Sequence, residues 1–294
     1  MEELFSNLKN RFVTGDMLRR LLFINIGLFI LLRLVEVICI LFDVNGQPLL
    51  AYVCVPSGWE LLIMRPWSII TYMFSHFDVL HILFNMLWLY WFGKLFLQFF
   101  NERQLTGLYL MGGLAGALFF IVAYNIFPYF NASVAHSNLV GASASVMAIV
   151  FAVSFYRKDL EVQLLLIGRV KLLYLALFTL LIDLLSITSG NAGGHFAHVG
   201  GALLGIWFAS VILKGKDLTA PLNRLIDRIC NIGKRKPKMT VSYGNKHRET
   251  DYEYNERKQE EHKRLDQILD KLKQAGYENL SSEEKKSLFE ASKK

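Results

Sequence analysis

Four side chains able to do hydrolytic chemistry sit in or beside long apolar runs. They are His81 and Asn85 in His81-Ile-Leu-Phe-Asn85, Ser143 in Gly141-Ala-Ser143-Ala144-Ser145, and His198 in Ala197-His198-Val-Gly-Gly201-Ala-Leu-Leu-Gly205. Polar side chains are costly in hydrocarbon, so their presence there is itself a functional signal. A serine hydroxyl is a poor nucleophile until a base takes its proton, and an imidazole within hydrogen-bond reach does so. Acyl transfer also needs donors aimed at the developing oxyanion. A serine at a helix start has unpaired backbone N–H groups close by. Asn85 adds amide donors, and His81, one helical turn away on the same face, adds another. The set reads as nucleophile Ser143, base His198, and oxyanion donors His81 and Asn85.

Each piece taken singly has a plainer explanation. Gly-x-Ser matches arise by chance, and a membrane serine commonly bonds back to its own helix. A membrane histidine is often a packing or interhelical hydrogen-bond residue, and Gly201 with Gly205 is first of all a packing face. Gly141 and Ala144 flank the serine, so two small-residue faces could let its helix and that of His198 meet closely. The joint reading rests on shared depth. His76 and His195 read as interfacial, and Ser145, on a different helix face, is the weaker nucleophile.

The elements that must position these groups are membrane helices. The chain has 294 residues, 53% of them hydrophobic, and a mean hydropathy of +0.33. Apolar residues come in blocks, predicting six spans at roughly 21–42, 74–97, 105–126, 141–156, 170–188 and 195–213. Spans two, four and six run from outside to inside. This places His81 about two turns into span two, with Ser143 and His198 at the outer starts of spans four and six. All four groups then share the outer third of the bilayer. Lys and Arg concentrate before span one, between spans two and three, between four and five, and after six, so both termini are expected to be cytoplasmic. The net charge of +7 falls in these flanking segments, where anionic lipid, not nucleic acid, is the expected partner. No cleavable signal pattern opens the chain, so the first helix is expected to stay uncleaved. Arg33 and Glu36 share a helix face and read as a structural ion pair. Asp183 reads as satisfied by a neighbouring helix. Cys39, Cys54 and Cys230 form no framework or metal spacing.

Two connecting segments stand out. The first outer loop, about 43–73, is long and carries Trp59 and Trp67, as expected of chain lying in the membrane edge. Residues 189–194 are short, polar and glycine-rich, a candidate mobile cap. After the spans, 220–232 has the pattern of an interfacial helix, and 234–258 reads as charged and disordered. A helical hairpin follows, with Leu265, Ile268, Leu269 and Leu272 on its first helix, Gly276 as C-cap, and a Ser281-to-Glu284 capping box opening the second. The domain reading is a cytoplasmic segment 1–20, a membrane core 21–213, an interfacial helix and linker 214–258, and a small cytoplasmic hairpin 259–294. The fold class is an all-α polytopic membrane bundle with a helical tail.

The motifs resemble those of the rhomboid intramembrane serine proteases. Phe74 to Met86 is similar to the second helix of that family with its H-x-x-x-N. Gly141-Ala-Ser143-Ala144 resembles its G-x-S-G, and Ala197-His198-x-x-Gly201-x-x-x-Gly205 its A-H-x-x-G-x-x-x-G. The likeness covers roughly residues 20–213 and three motifs in order. It implies a rhomboid-like six-helix bundle, catalysis by Ser143 and His198, oxyanion donation by His81 and Asn85, and no metal or organic cofactor. It also implies single-span membrane proteins as substrates, cut in or beside their transmembrane helices near the outer face. A bacterial plasma membrane is the location it suggests. Ala144 stands where the family has a second glycine, Met147 where it often has an aromatic that stacks on the base, and Trp67-Ser68 where it often has Trp-Arg. The tail resembles one appended to some bacterial members, and its partner is not legible.

Two other readings compete with this one. A non-catalytic rhomboid-like binder of membrane clients usually lacks the Ser or the His, and this chain has both. A six-span transporter would carry inverted repeats and broken helices, which this sequence does not display. It has neither the H-E-x-x-H of a zinc protease nor a pair of aspartates in the later helices.

Overall fold

The computed structural model describes residues 12, 14–164, 168–231 and 250–291. The chain divides into two compact units, Met1–Gly233 and Lys234–Lys294. In the first, the apolar runs form six helices: α1 (Met17–Leu41), α2 (Val79–Phe96), α3 (Glu102–Ile126), α4 (Ser143–Tyr156), α5 (Leu172–Leu185) and α6 (Ala192–Ile212). By length and composition α1, α2, α3 and α6 can each cross a membrane. α4 and α5 have 14 residues each, a rise of about 21 Å against a hydrocarbon core of about 30 Å. α4 can be short because it meets no lipid. Every residue from Ala144 to Ser154 is buried, and irregular backbone is tolerated at membrane depth where protein covers it.

Helix starts are set by local chemistry. Asp16 caps α1 by accepting from the Arg19 N–H, and Asp78 caps α2 by accepting from the His81 N–H at 2.8 Å. Asn101 and Gln104 form a capping box on α3. The Asp78 cap moves the start of α2 from the expected 74 to Val79, so His81 lies in its first turn and not two turns in. α6 starts at Ala192, earlier than expected, which puts His198 two turns inside.

The loop between α1 and α2 is built, not slack. It contains short helices at Gln47–Ala51, Trp59–Met64 and Ser68–Thr71 and a 3-10 turn at Tyr72–Phe74. A two-residue strand, β1 (Val55–Pro56), pairs antiparallel with β2 (Asn138–Leu139), just ahead of α4, with Val55 opposite Leu139. Trp67 Nε1 donates to the Tyr52 carbonyl, and the Arg65 guanidinium lies over the Tyr52 ring. The loop is therefore anchored without the Trp-Arg pair. Arg33 pairs with Glu36 at 2.5 Å and also donates to the Phe77 carbonyl just before α2. A β-hairpin not expected from the sequence, β3 (Glu161–Leu164) with β4 (Gly168–Lys171), joins α4 to α5. The three cysteines are free.

After α6, α7 (Ala220–Cys230) is amphipathic. Its Asp227 pairs with Arg103 and its Asn223 donates to the Arg103 carbonyl, so it is fastened to the start of α3. In the second unit, α8 (Asp251–Ala275) and α9 (Ser282–Ala291) are joined by a 3-10 turn. Ile268 and Leu280 are buried there. α8 corrects the reading of 234–258 as disordered, because a capping box of Thr250 and Glu253 starts a helix inside that stretch. The remainder of that stretch, and residues 1–11 and 13 of the expected N-terminal segment, lie outside the described residues. Gly276 at the end of α8 has φ +80°, a left-handed conformation that favours glycine.

Candidate active site

Ser143 is held by the backbone immediately before it. Gly141 has φ +114°, and its N–H donates to the Tyr72 carbonyl at 2.9 Å. A β-carbon at Gly141 would meet the His81 ring at 2.7 Å, so glycine is required by conformation and by contact alike. The next N–H, on Ala142, donates to His76 Nε2 at 3.3 Å. Tyr72 is fixed in turn by its hydroxyl, which donates to the Gly113 carbonyl at 2.6 Å. Ser143 then opens α4, and no side chain caps that helix. Its first-turn N–H groups are the kind that a helix start leaves for an anion.

Glycines bring α4 and α6 together. A β-carbon on Gly201 would collide with the Ala144 carbonyl oxygen, and one on Gly205 with the Ala148 carbonyl oxygen. The expected small-residue face thus packs backbone to backbone. On the other side, Gly116 of α3 faces the Ala144 β-carbon, and a β-carbon on Gly112 would meet that of Ala148 at 2.5 Å. The extra methyl of Ala144, where a second glycine stood in the motif, has its place against Gly116.

Ser143, His198, His81, Asn85, Met147 and Asp183 are among the residues lining one cavity of about 620 Å³. The four expected site residues are therefore gathered on a single cavity. They are not all bonded to one another. Ser143 Oγ makes no hydrogen bond among the described residues, and the Asn85 amide donates to the His81 carbonyl at 3.0 Å, leaving one of its two N–H groups available. The His81 ring stands edge-on to His76, with centroids 5.1 Å apart. Ser145 is buried, has an unpartnered Oγ and is not among the cavity residues. This agrees with its being the weaker candidate.

Two histidines read as interfacial are engaged with neighbouring groups of the protein. His76 is fully buried and braces Ala142. His195 binds Asp183 Oδ1 through Nδ1 at 2.7 Å and Ser189 Oγ through Nε2 at 3.2 Å. His198 Nδ1 lies 2.9 Å from the same Asp183 oxygen. Asp183, expected to be satisfied by a neighbouring helix, is satisfied by the candidate base itself. The sequence carried a signal for this. α5 and α6 are consecutive helices joined by a short turn, with Asp183 near the end of one and His198 in the second turn of the other, on the arms of a helical hairpin. Asp183, His195 and His198 each offer one ligand atom, all within 4.8 Å of one another. The two nitrogen–oxygen separations are hydrogen-bond lengths, shorter than the roughly 3.3 Å between ligands of a tetrahedral zinc at about 2.0 Å.

Residues 64–215 match the family model described as Rhomboid domain, and residues 248–294 match one described as Family of unknown function (DUF6576). The chain is 31% identical over 161 residues to RHOMBOID-like protein 12, mitochondrial, of Arabidopsis thaliana, covering 52% of this chain and 48% of that protein. It is 27% identical over 150 residues to Presenilin-associated rhomboid-like protein, mitochondrial, of Homo sapiens, covering 47% and 35%. To Presenilin-associated rhomboid-like protein A, mitochondrial, of Danio rerio it is 28% identical over 140 residues, covering 46% and 34%. The chain thus spans about half or less of the length of these curated relatives. All three are mitochondrial, so they lend no support to the bacterial plasma membrane that the motifs suggested.

Proposed function

The chain belongs to the rhomboid family, and from that premise we propose that it is an intramembrane serine protease working through Ser143 and His198. The observation that carries the reading is that both residues, from α4 and α6, line the same cavity as His81 and Asn85. Ser143 Oγ attacks the scissile carbonyl while His198 takes its proton. The oxyanion is met by the free Asn85 amide N–H, the His81 imidazole and the N–H groups opening α4. His198 returns the proton to the leaving amine. Water, activated by the same imidazole, then releases the acyl chain and restores the Ser143 hydroxyl. In a resting enzyme the nucleophile–base contact is often loose and tightens only around substrate, which accommodates the unbonded Ser143.

The substrates proposed are single-span membrane proteins, cut in or beside the transmembrane helix. A helix hides its peptide bonds, so the scissile segment must unwind, and the polar side chains in the cavity give its backbone partners when it does. The loops rich in Lys and Arg support an orientation with both termini on the cytoplasmic side and the cavity served from the opposite side.

A second reading draws on the absent Ser143–His198 hydrogen bond: a rhomboid-like protein that holds membrane clients without cutting them. One experiment separates the two. A fluorophosphonate probe applied to the purified full chain is expected to label the wild type and to fail with Ser143→Ala and with His198→Ala. Cleavage of a model transmembrane substrate should fall with the label. No label on a folded wild type, or cleavage persisting in Ser143→Ala, would exclude the protease.

A further inference from the structure

We infer that Asp183 is a positioning residue for the base, so that the centre is a serine–histidine–carboxylate arrangement; this rests on the proposed roles of Ser143 and His198. An ionised carboxylate can only accept hydrogen bonds. With Asp183 Oδ1 at 2.9 Å from His198 Nδ1, the imidazole proton belongs on Nδ1. The one lone pair left on the ring is then at Nε2, the nitrogen available to Ser143. When Nε2 takes the serine proton, positive charge forms on a ring already touching a negative one. That attraction is worth more in a site screened from water than at a surface.

The carboxylate is held as such a role requires. Its side chain is 9% exposed. His195 Nδ1 binds the same oxygen at 2.7 Å, and His195 is held from its far side by Ser189 Oγ. The two rings stand nearly perpendicular, at 88° with centroids 6.1 Å apart. Oδ1 is thus held from two directions, by His195 as well as by His198. A buried acid is costly unless it is paired, and here Oδ1 is paired with the base and with a second histidine. The alternative is that Asp183 merely ties α5 to α6. His195 discriminates, because it supplies one of the two ties but lies one step from the chemistry.

The test uses the purified full chain in liposomes. Fluorophosphonate labelling rate, kcat and KM on a model transmembrane substrate are measured for the wild type, Ser143→Ala, Asp183→Asn, Asp183→Glu and His195→Ala. Asp183→Asn can turn its amide toward His198 Nδ1 and force the proton to Nε2, so labelling and kcat should fall about 10²–10⁴-fold with KM little changed. His195→Ala should lose about tenfold or less, and Asp183→Glu should exceed Asp183→Asn. Equal losses in Asp183→Asn and His195→Ala, or a loss confined to KM, would overturn the assignment. Should Asp183→Asn not fold, ¹⁵N-histidine NMR of the wild type decides: His198 protonated on Nδ1 supports it, and protonation on Nε2 refutes it. An unlabelled wild type, or an active Ser143→Ala, would instead sink the underlying protease reading.

Discussion

Gly201 of α6 rests directly on Ala144 of α4: a β-carbon at that glycine would run into the Ala144 carbonyl oxygen. The obstacle is backbone in a helix buried along nearly its whole length, so no flexible side chain can give way. Gly201→Val is therefore expected to cost about 1–3 kcal/mol of stability by overpacking. The strain falls one residue from Ser143, so labelling should drop more than the loss of folded protein explains. Unfolding in detergent together with probe labelling of the folded fraction checks this. A Gly201→Val protein with wild-type stability and labelling would show that the two helices can separate freely.

His76 makes a second expectation. Its Nε2 accepts the Ala142 N–H at 3.3 Å, and its ring backs His81. His76→Ala leaves that N–H buried without an acceptor, at about 1–3 kcal/mol. It also frees the turn that sets Ser143. A misplacement near 1 Å costs up to about 10²-fold in rate, so labelling should fall between about 10- and 100-fold. Thermal unfolding and labelling kinetics read the two effects separately. Labelling at the wild-type rate would mean that Gly141 and Tyr72 hold the serine unaided.

What could be read from the sequence was whatever an element states by itself. All six helices announce themselves as apolar runs, and Gly201 with Gly205 announces a close contact. Ser143, His198, His81 and Asn85 line one cavity. What escaped depends on relations between elements or on small competing signals. Asp183 reads as an isolated acid until α5 and α6 fold back on each other. A fully buried His76 looks, in one dimension, like a histidine at the membrane edge. Phe74 and Phe77 extend the apolar run ahead of α2 and mask its true start, which Asp78, a good cap, competes to signal. α8 was hidden by its charge. Its opening, Thr250 to Glu253, is the same kind of capping box recognised at Ser281, but the stretch holds too few apolar residues to suggest a packed helix.

The start of α9 offers an expectation about pH. The Glu284 carboxylate accepts from the Ser281 N–H at 2.7 Å and from Lys271 Nζ at 3.0 Å. The Ser281 N–H first, and then Lys271, hold its carboxyl below the ordinary value of 4.5. A carboxyl whose folded pKa is depressed adds stability that is fully present above the ordinary value and is lost as the pH falls through the folded one. Protection of the α9 first-turn amides, followed by hydrogen exchange in the full chain and corrected for intrinsic rates, should hold steady down to about pH 4.5 and decline below it. Glu284→Gln removes the charge, so its protection should be lower at neutral pH and flat through the same acid range. Lys271 is exposed and Glu284 half-buried, so the contribution is salt-screened and the difference should shrink at high ionic strength. Parallel pH profiles in the two proteins would show that the capping carboxylate does not govern the stability of this helix end.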